Sequence, residues 1–145
     1  MGTSSSSLIY PSIEDIVETN KYLIQNSGGN LDGAGHFHNE NSLKWVLDAI
    51  QYPFFDVDTY PTISDKAAIL AWTIIDGHVF IDGNKRTGFM SMMVFLAGNG
   101  FYISAHEDEL VNTAIKIATA RTGNYTIEEF TEWVRTHLKL LYPSP

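Results

Sequence analysis

Apolar positions recur along most of this chain at intervals of three and four residues, the spacing that lines one face of a helix. Ile13, Ile16, Val17, Leu23 and Ile24 trace the first such face, with Asn20 its one polar break. Ser12 and Asp15 stand at capping-box spacing and mark where this helix starts. The stretch Ser27-Gly28-Gly29-Asn30 ends it, and irregular chain is expected to about Asn39. Leu43, Val46, Leu47 and Ile50 predict a second helix from Asn41 to Gln51, stopped by Pro53. Residues 52–62 are aromatic, acidic and bracketed by Pro53 and Pro61. They read as an exposed loop or a short β-hairpin beside whatever the protein recognises.

Two consecutive helices then lose the amphipathic pattern. The first, with Ser64 as its expected cap, carries Ala67, Ala68, Ile69, Leu70, Ala71, Trp72, Ile74 and Ile75 and runs to about Asp76. The second carries Phe89, Met90, Met92, Met93, Val94, Phe95, Leu96 and Ala97 and closes at Asn99-Gly100. A helix apolar on every side belongs at the centre of a fold, so both are expected there. A fifth helix is expected from about Glu107 to Arg121, with Leu110, Val111, Ala114, Ile115 and Ala118 inward. Thr126 and Glu129 box the start of a sixth, carrying Ile127, Phe130, Trp133, Val134, Leu138 and Leu141. The expected fold is all-α, a bundle of about six helices in a single domain over residues 11–141. Residues 1–10 are expected to be a flexible leader, which also matches the formal myristoylation pattern at Gly2 and Ser6.

Composition narrows the function. The chain has 145 residues, 44% of them hydrophobic and 18% charged, the values of a globular protein able to bury one core. No apolar run approaches the ~18 residues that a membrane-spanning helix needs. There is no cysteine, which removes disulfides, thiolate metal sites and a cysteine nucleophile. No secretory signal is visible, so the cytoplasm is the default location. Nine Lys and Arg against 17 Asp and Glu give a net charge of −8, which argues against general electrostatic binding of nucleic acid. Any anion must be held by a local site, and a basic segment of a partner protein is the more natural guest.

The chemistry concentrates between the two apolar helices, in His78-Val79-Phe80-Ile81-Asp82-Gly83-Asn84-Lys85-Arg86. An imidazole at the end of the incoming helix can serve as a base near neutral pH. Phe80 can anchor the loop in the core. Asp82 is a hard carboxylate suited to Mg2+, which in turn favours phosphate oxygens. Gly83 lets the backbone turn and approach a ligand closely. Asn84, Lys85 and Arg86 open the next helix, whose free N–H groups attract anions. Taken singly, each residue has an ordinary explanation: a helix-capping histidine, an Asp-Gly turn, a solvated basic pair. Together, within nine residues tethered to rigid helices, they are a set of parts for phosphoryl or nucleotidyl transfer. The chain lacks the GxxxxGK[ST] of a Walker loop.

The string H-V-F-I-D-G-N-K-R-T-G resembles the signature of the Fic family, H-x-F-x-[DE]-G-N-x-R-x-x-R, and more closely that of its Doc branch, the death-on-curing toxins. Tyr60-Pro61-Thr62, Asp65-Lys66-Ala67-Ala68 and Val94-Phe95-Leu96-Ala97-Gly98-Asn99-Gly100 are also similar to that branch. The likeness extends from about Leu8 to Leu138. It implies that His78 is the catalytic base toward a target hydroxyl and that Asp82 holds Mg2+ on the phosphates of ATP. It further implies that Gly83, Asn84 and Lys85 form an anion-binding nest and that Arg86 contacts a phosphate. The family's second arginine is replaced here by Phe89, and Lys85 stands where many AMP-transferring members have glycine. In the Doc branch that pattern accompanies a nucleotide bound the other way round and a protein kinase acting on a threonine of the translation factor EF-Tu. The resemblance therefore favours phosphorylation of a protein Ser or Thr. AMP transfer and a non-catalytic anion-binding module remain as alternatives. No [ST]-x-x-x-E-[GN] inhibitory segment occurs, which points to control by a separate antitoxin chain.

His36 and His38, with His106 and His137, offer metal-binding side chains without a cysteine among them, and the first two lie in a glycine-rich stretch. The sequence gives them no role.

Overall fold

The computed structural model describes residues 7–142, so the first six positions of the expected leader lie outside it. Among the described residues are seven α-helices and two short strands, an all-α architecture with a small antiparallel pair at one end. The helices are α1 (Ile13–Ser27), α2 (Glu40–Gln51), α3 (Ile63–Asp76), α4 (Asn84–Gly98), α5 (Glu107–Ala118), α6 (Ala120–Gly123) and α7 (Ile127–His137). The strands are β1 (Phe101–Ile103) and β2 (Leu138–Leu140).

Local sequence explains the helix starts. Ser12 accepts a hydrogen bond from the Asp15 N–H while the Asp15 carboxylate takes the Ser12 N–H, closing the predicted box on α1. The bond also holds the Asp15 carboxyl below its ordinary pKa. Thr126 caps α7 through the Glu129 N–H. At α3 the cap is Thr62, boxed with Asp65, and not Ser64. Ser64 sits buried inside the first turn, and the Thr62–Asp65 pair that brackets it satisfies the exposed amides of both residues.

α3 is the axis. It packs along α4 and also touches α2, α5 and α7, and Leu70, Ile74 and Ile75 are sealed from water. Where α3 crosses α4, a Cβ on Gly88 would lie 2.7 Å from Ile75 Cγ1 and 3.1 Å from the Ala71 carbonyl oxygen. Only glycine permits this crossing distance. Lys66, also on α3, is fully buried and donates to the Ile50 carbonyl (2.9 Å), with the Tyr60 carbonyl and the Asp58 carboxylate as its other partners. It thereby ties the end of α2 and the chain before α3 to the bundle. Within residues 52–62, Phe54 and Val57 exchange backbone bonds of 2.9 Å across Phe55 and Asp56, both at positive φ. This is a minimal hairpin with a primed turn.

Three further expectations are corrected. α4 is not covered on every side, since Met90 and Val94 are 41% and 57% exposed. The fifth helix ends at Ala118 rather than Arg121; Leu110, Ala114 and Ala118 pack inward as expected, together with Thr113 and Ile117, while Val111 and Ile115 face outward. Its apolar stripe is wider than the face that α3 and α4 can cover. Leu138 and Leu141 do not extend the last helix. Ser104 donates to the His137 carbonyl, and the chain turns into β2, with Phe101, Tyr102 and Ile103 opposite Leu140, Lys139 and Leu138. Next to α4's end, Ile9 exchanges bonds of 2.8 and 2.9 Å with the Asn99 amide, and Tyr10 stacks on Phe95.

Candidate active site

The loop between α3 and α4 begins with a Schellman closure. Val79 N–H reaches the Ile74 carbonyl and His78 N–H the Ile75 carbonyl, which places His78 at the left-handed position that usually belongs to glycine. His78 takes φ 47°, a conformation costing an ordinary residue about 1–2 kcal/mol. Strain of this kind persists where surrounding structure enforces it, and functional sites are its common location. The side chain is exposed, while Val79 and Phe80, which follow it, are buried.

Phe80 does anchor the loop: it is 1% exposed and stacks on Phe37 at 5.3 Å. The Asn84 side chain clamps the same residue, accepting from the Phe80 N–H (2.9 Å) and donating to its carbonyl (2.8 Å). From the other side, the His36 carbonyl accepts from Ile81 N–H, and the Val79 carbonyl accepts from the N–H groups of His38 and Asn39. Residues 36–39 thus form a backbone strap on the loop, an arrangement in which the imidazoles of His36 and His38 take no part. Among the described residues no group of three His, Asp or Glu side chains is placed to hold a metal ion.

Asp82 is fixed at both oxygens. Oδ1 accepts from Gly83 N–H and Oδ2 from Asn30 N–H, each at 2.8 Å. Those backbone bonds, Asn30's first, hold its carboxyl below the ordinary value against a small opposing effect of burial, and Arg86 and Lys85 add to the lowering. The group is ionised at neutral pH with lone pairs left on each oxygen. Gly83 takes φ 75° and stands as the N-cap of α4 without a side-chain cap. The first N–H groups of α4 therefore open toward the loop, as at an anion-binding helix start. Lys85 is exposed beside them, and Arg86 is half-buried with Nη1 3.4 Å from the Leu23 carbonyl.

His78, Asp82, Gly83, Asn84, Lys85 and Arg86 line one hollow of about 290 Å³. The structure thus brings together every loop residue singled out from sequence except Phe80, which lies beneath. A base, an ionised carboxylate, unpaired amides and two cations facing one space can bind phosphate and take a proton from an incoming hydroxyl. The donor set fits Mg2+ as one carboxylate ligand, with phosphate and water completing the shell. On its other flank His78 borders a larger cleft of about 680 Å³, reached by Trp45, Trp72, Asp76 and Arg121.

Sequence reasoning missed the support of Asp82. Asn20 and Asn30 hold it from the side of α1, with Gly29 packed close to its carboxylate. Asn20 was visible as a polar break in an apolar stripe. Nothing in the sequence singles out Asn30.

Comparison with known proteins agrees with this geometry. The family model described as "Fic/DOC family" matches residues 10–96. Toxin Doc of Mycolicibacterium smegmatis (strain ATCC 700084 / mc(2)155) is 40% identical over 67 residues, 43% of this chain and 52% of that protein. The match thus spans about half the length of that relative. With more than half of its residues inside the family match, including the whole of the loop from His78 to Arg86, the chain belongs to the Fic/Doc family.

Proposed function

We propose that the chain is a Doc-like toxin of a toxin–antitoxin system, a transferase that phosphorylates a Ser or Thr hydroxyl of a target protein with Mg-ATP. The observation that carries this reading is the meeting of His78, Asp82, Lys85, Arg86 and the uncapped start of α4 around one hollow. His78 Nε2 or Nδ1 takes the proton as the target oxygen attacks the γ-phosphorus. A new P–O bond forms, the bridging P–O bond to ADP breaks, and its electron pair leaves with ADP. Asp82 would hold Mg2+, which would supply charge neutralisation on the phosphates. Arg86, Lys85 and the α4 amides orient the phosphates.

Phe89 supports phosphoryl over AMP transfer. It is 7% exposed and packs its ring against Phe130 and Trp133, so it offers the hollow no cation where the family's second arginine stands. The family resemblance suggests a threonine of EF-Tu as the acceptor. The exposed side chains of Tyr52, Phe54 and Phe55, near Trp45 at the larger cleft, are where a target segment would lie. A separate antitoxin is the expected regulator. The outward apolar side chains Met90, Val111 and Ile115, in a groove of about 400 Å³ that reaches Lys85 and Arg86, suit such a partner.

The test is incubation with candidate target, Mg2+ and ATP labelled at either the α or the γ phosphate. Label from the γ position alone supports the kinase, label from the α position replaces it with AMP transfer, and no label leaves an anion-binding module. His78→Ala must abolish transfer while keeping the fold, and undiminished transfer by that variant removes the assigned base.

A further inference from the structure

We propose that Asn20 is a positioning residue of the transfer site, acting through Asp82, and that α1 with the 28–35 segment is the support that holds that residue in place. The proposal rests on the transferase reading above. It starts from an anomaly: Asn20 is fully buried on a helix face otherwise made of Ile16, Leu23 and Ile24. Burying an amide there costs free energy unless its hydrogen-bonding groups are all satisfied, and core packing alone would be served by an apolar residue.

Every group of the amide is used, and each leads to the site. Nδ2 donates to the Asp82 carbonyl at 2.8 Å and to Thr87 Oγ1 at 3.0 Å. Oδ1 accepts from Gly35 N–H at 2.8 Å. The orientation is forced, since turning the amide over would set its oxygen against the Asp82 carbonyl and its N–H groups against the Gly35 N–H. One side chain therefore joins α1, the loop, the first turn of α4 and the far end of the 28–35 segment. The near end of that segment reaches Asp82 as well, through the Asn30 N–H on Oδ2. Just before Asn30, Gly29 passes so close that a Cβ would lie 2.9 Å from Asp82 Oδ2 and 3.3 Å from Arg86 Nη2. Gly83 admits Asn20 in turn, because a Cβ there would lie 3.2 Å from Nδ2.

The consequence is directional. Asn20 fixes the main chain of Asp82, and the segment fixes its carboxylate, so the ligand that would face Mg2+ is held before anything binds. Such supporting contacts change metal affinity or activity by about 10- to 100-fold when removed.

Two readouts test this in the full chain. Amide hydrogen exchange in Asn20→Ala should speed up at Gly35, Asn30 and Gly83, with the interior of α3 unchanged. With labelled ATP, the same variant should need about 10-fold more Mg2+ for half-maximal transfer at unchanged KM for the target. Combined with Asp82→Ala, it should add no further loss, because both act through one carboxylate. Should Asn20→Ala fail to fold, Thr87→Val removes one of its partners at constant shape and should move the same amides less. Unchanged exchange at Asn30 and Gly83, or a loss that adds fully to that of Asp82→Ala, overturns the proposal. If the unmodified chain transfers no label, the transferase reading falls, while the exchange pattern still decides whether Asn20 holds Asp82.

Discussion

α3 and α4 carry similar numbers of apolar side chains, yet α3 is the more enclosed of the two. Leu70, Ile74 and Ile75 on α3 are sealed between α2, α4, α5 and α7, whereas Met90 and Val94 on α4 look outward. Apolar content states how much a helix could bury. The faces that its neighbours cover state how much it does. The difference has a functional side, because α4 begins in the polar hollow and its open face continues into the apolar groove past Lys85 and Arg86. α3 is scaffold except where Trp72 and Asp76 border the larger cleft, and α4 is scaffold on one face and working surface on the other.

The largest test of this contrast is a matched pair of truncations. Leu70→Ala removes a fully buried side chain and should cost about 2–5 kcal/mol, read from the urea midpoint. Val94→Ala, at a position 57% exposed, should stay within about 0.5 kcal/mol. Equal losses would show that α4 is covered in solution and that the asymmetry is false. Next in size is Gly88→Ala at the crossing. Alanine is the better helix former by about 1 kcal/mol. Its Cβ would meet Ile75 at 2.7 Å and the Ala71 carbonyl at 3.1 Å, so the net result should be a loss of about 1–3 kcal/mol. A raised Tm would mean that the helices separate easily. Smaller again is Asn84→Ala, which frees the backbone of Phe80 at both ends and should cost about 1–2 kcal/mol. It should also lower label transfer by at least as large a factor as it lowers the folded population. Transfer at the unmodified rate would mean that the clamp is not needed to shape the loop.

The contrast also marks how far the chain could be read without coordinates. Helix starts at Ser12 and Thr126 were legible because capping is a local pattern, complete within four residues, although only Ser12 closes the full reciprocal box and Thr126 caps through the Glu129 N–H alone. The loop from His78 to Arg86 was legible for the same reason, its groups being adjacent in sequence. The outward face of α4 was not, since Met90 and Met92 look alike until the positions of α1, α3 and α5 are known. β1 and β2 were missed because three residues are too few for an alternating pattern, and each depends on a partner far along the chain. Ser64 and Thr62 are both capping types, and only the Asp65 carboxylate, three residues beyond Thr62, decides between them as the cap of α3. The hold of Asn30 on Asp82 joins residues 52 apart through a backbone N–H, a donor that every residue but proline carries.

The smallest effect concerns the side of α3 that faces the larger cleft, where Trp72 is left half-buried. Tyr125 covers it, with ring centres 6.0 Å apart, and Lys116 Nζ lies 5.6 Å from the centre of the Tyr125 ring. Burial first, and the Glu129 carboxylate second, push the Tyr125 phenol from 10.0 up to about 12. The folded state thus prefers the neutral phenol more than the unfolded chain does. The stability contributed by this group is complete below pH 10 and is lost as pH rises through about 12. At neutral pH Tyr125→Phe should therefore change little, and it should weaken the dependence of stability on pH only in that alkaline window. The difference in phenolate absorbance between the two proteins should appear near pH 12. A difference titrating at 10 would show that water reaches the phenol, and that α3 is open on its Trp72 side as α4 is open at Val94.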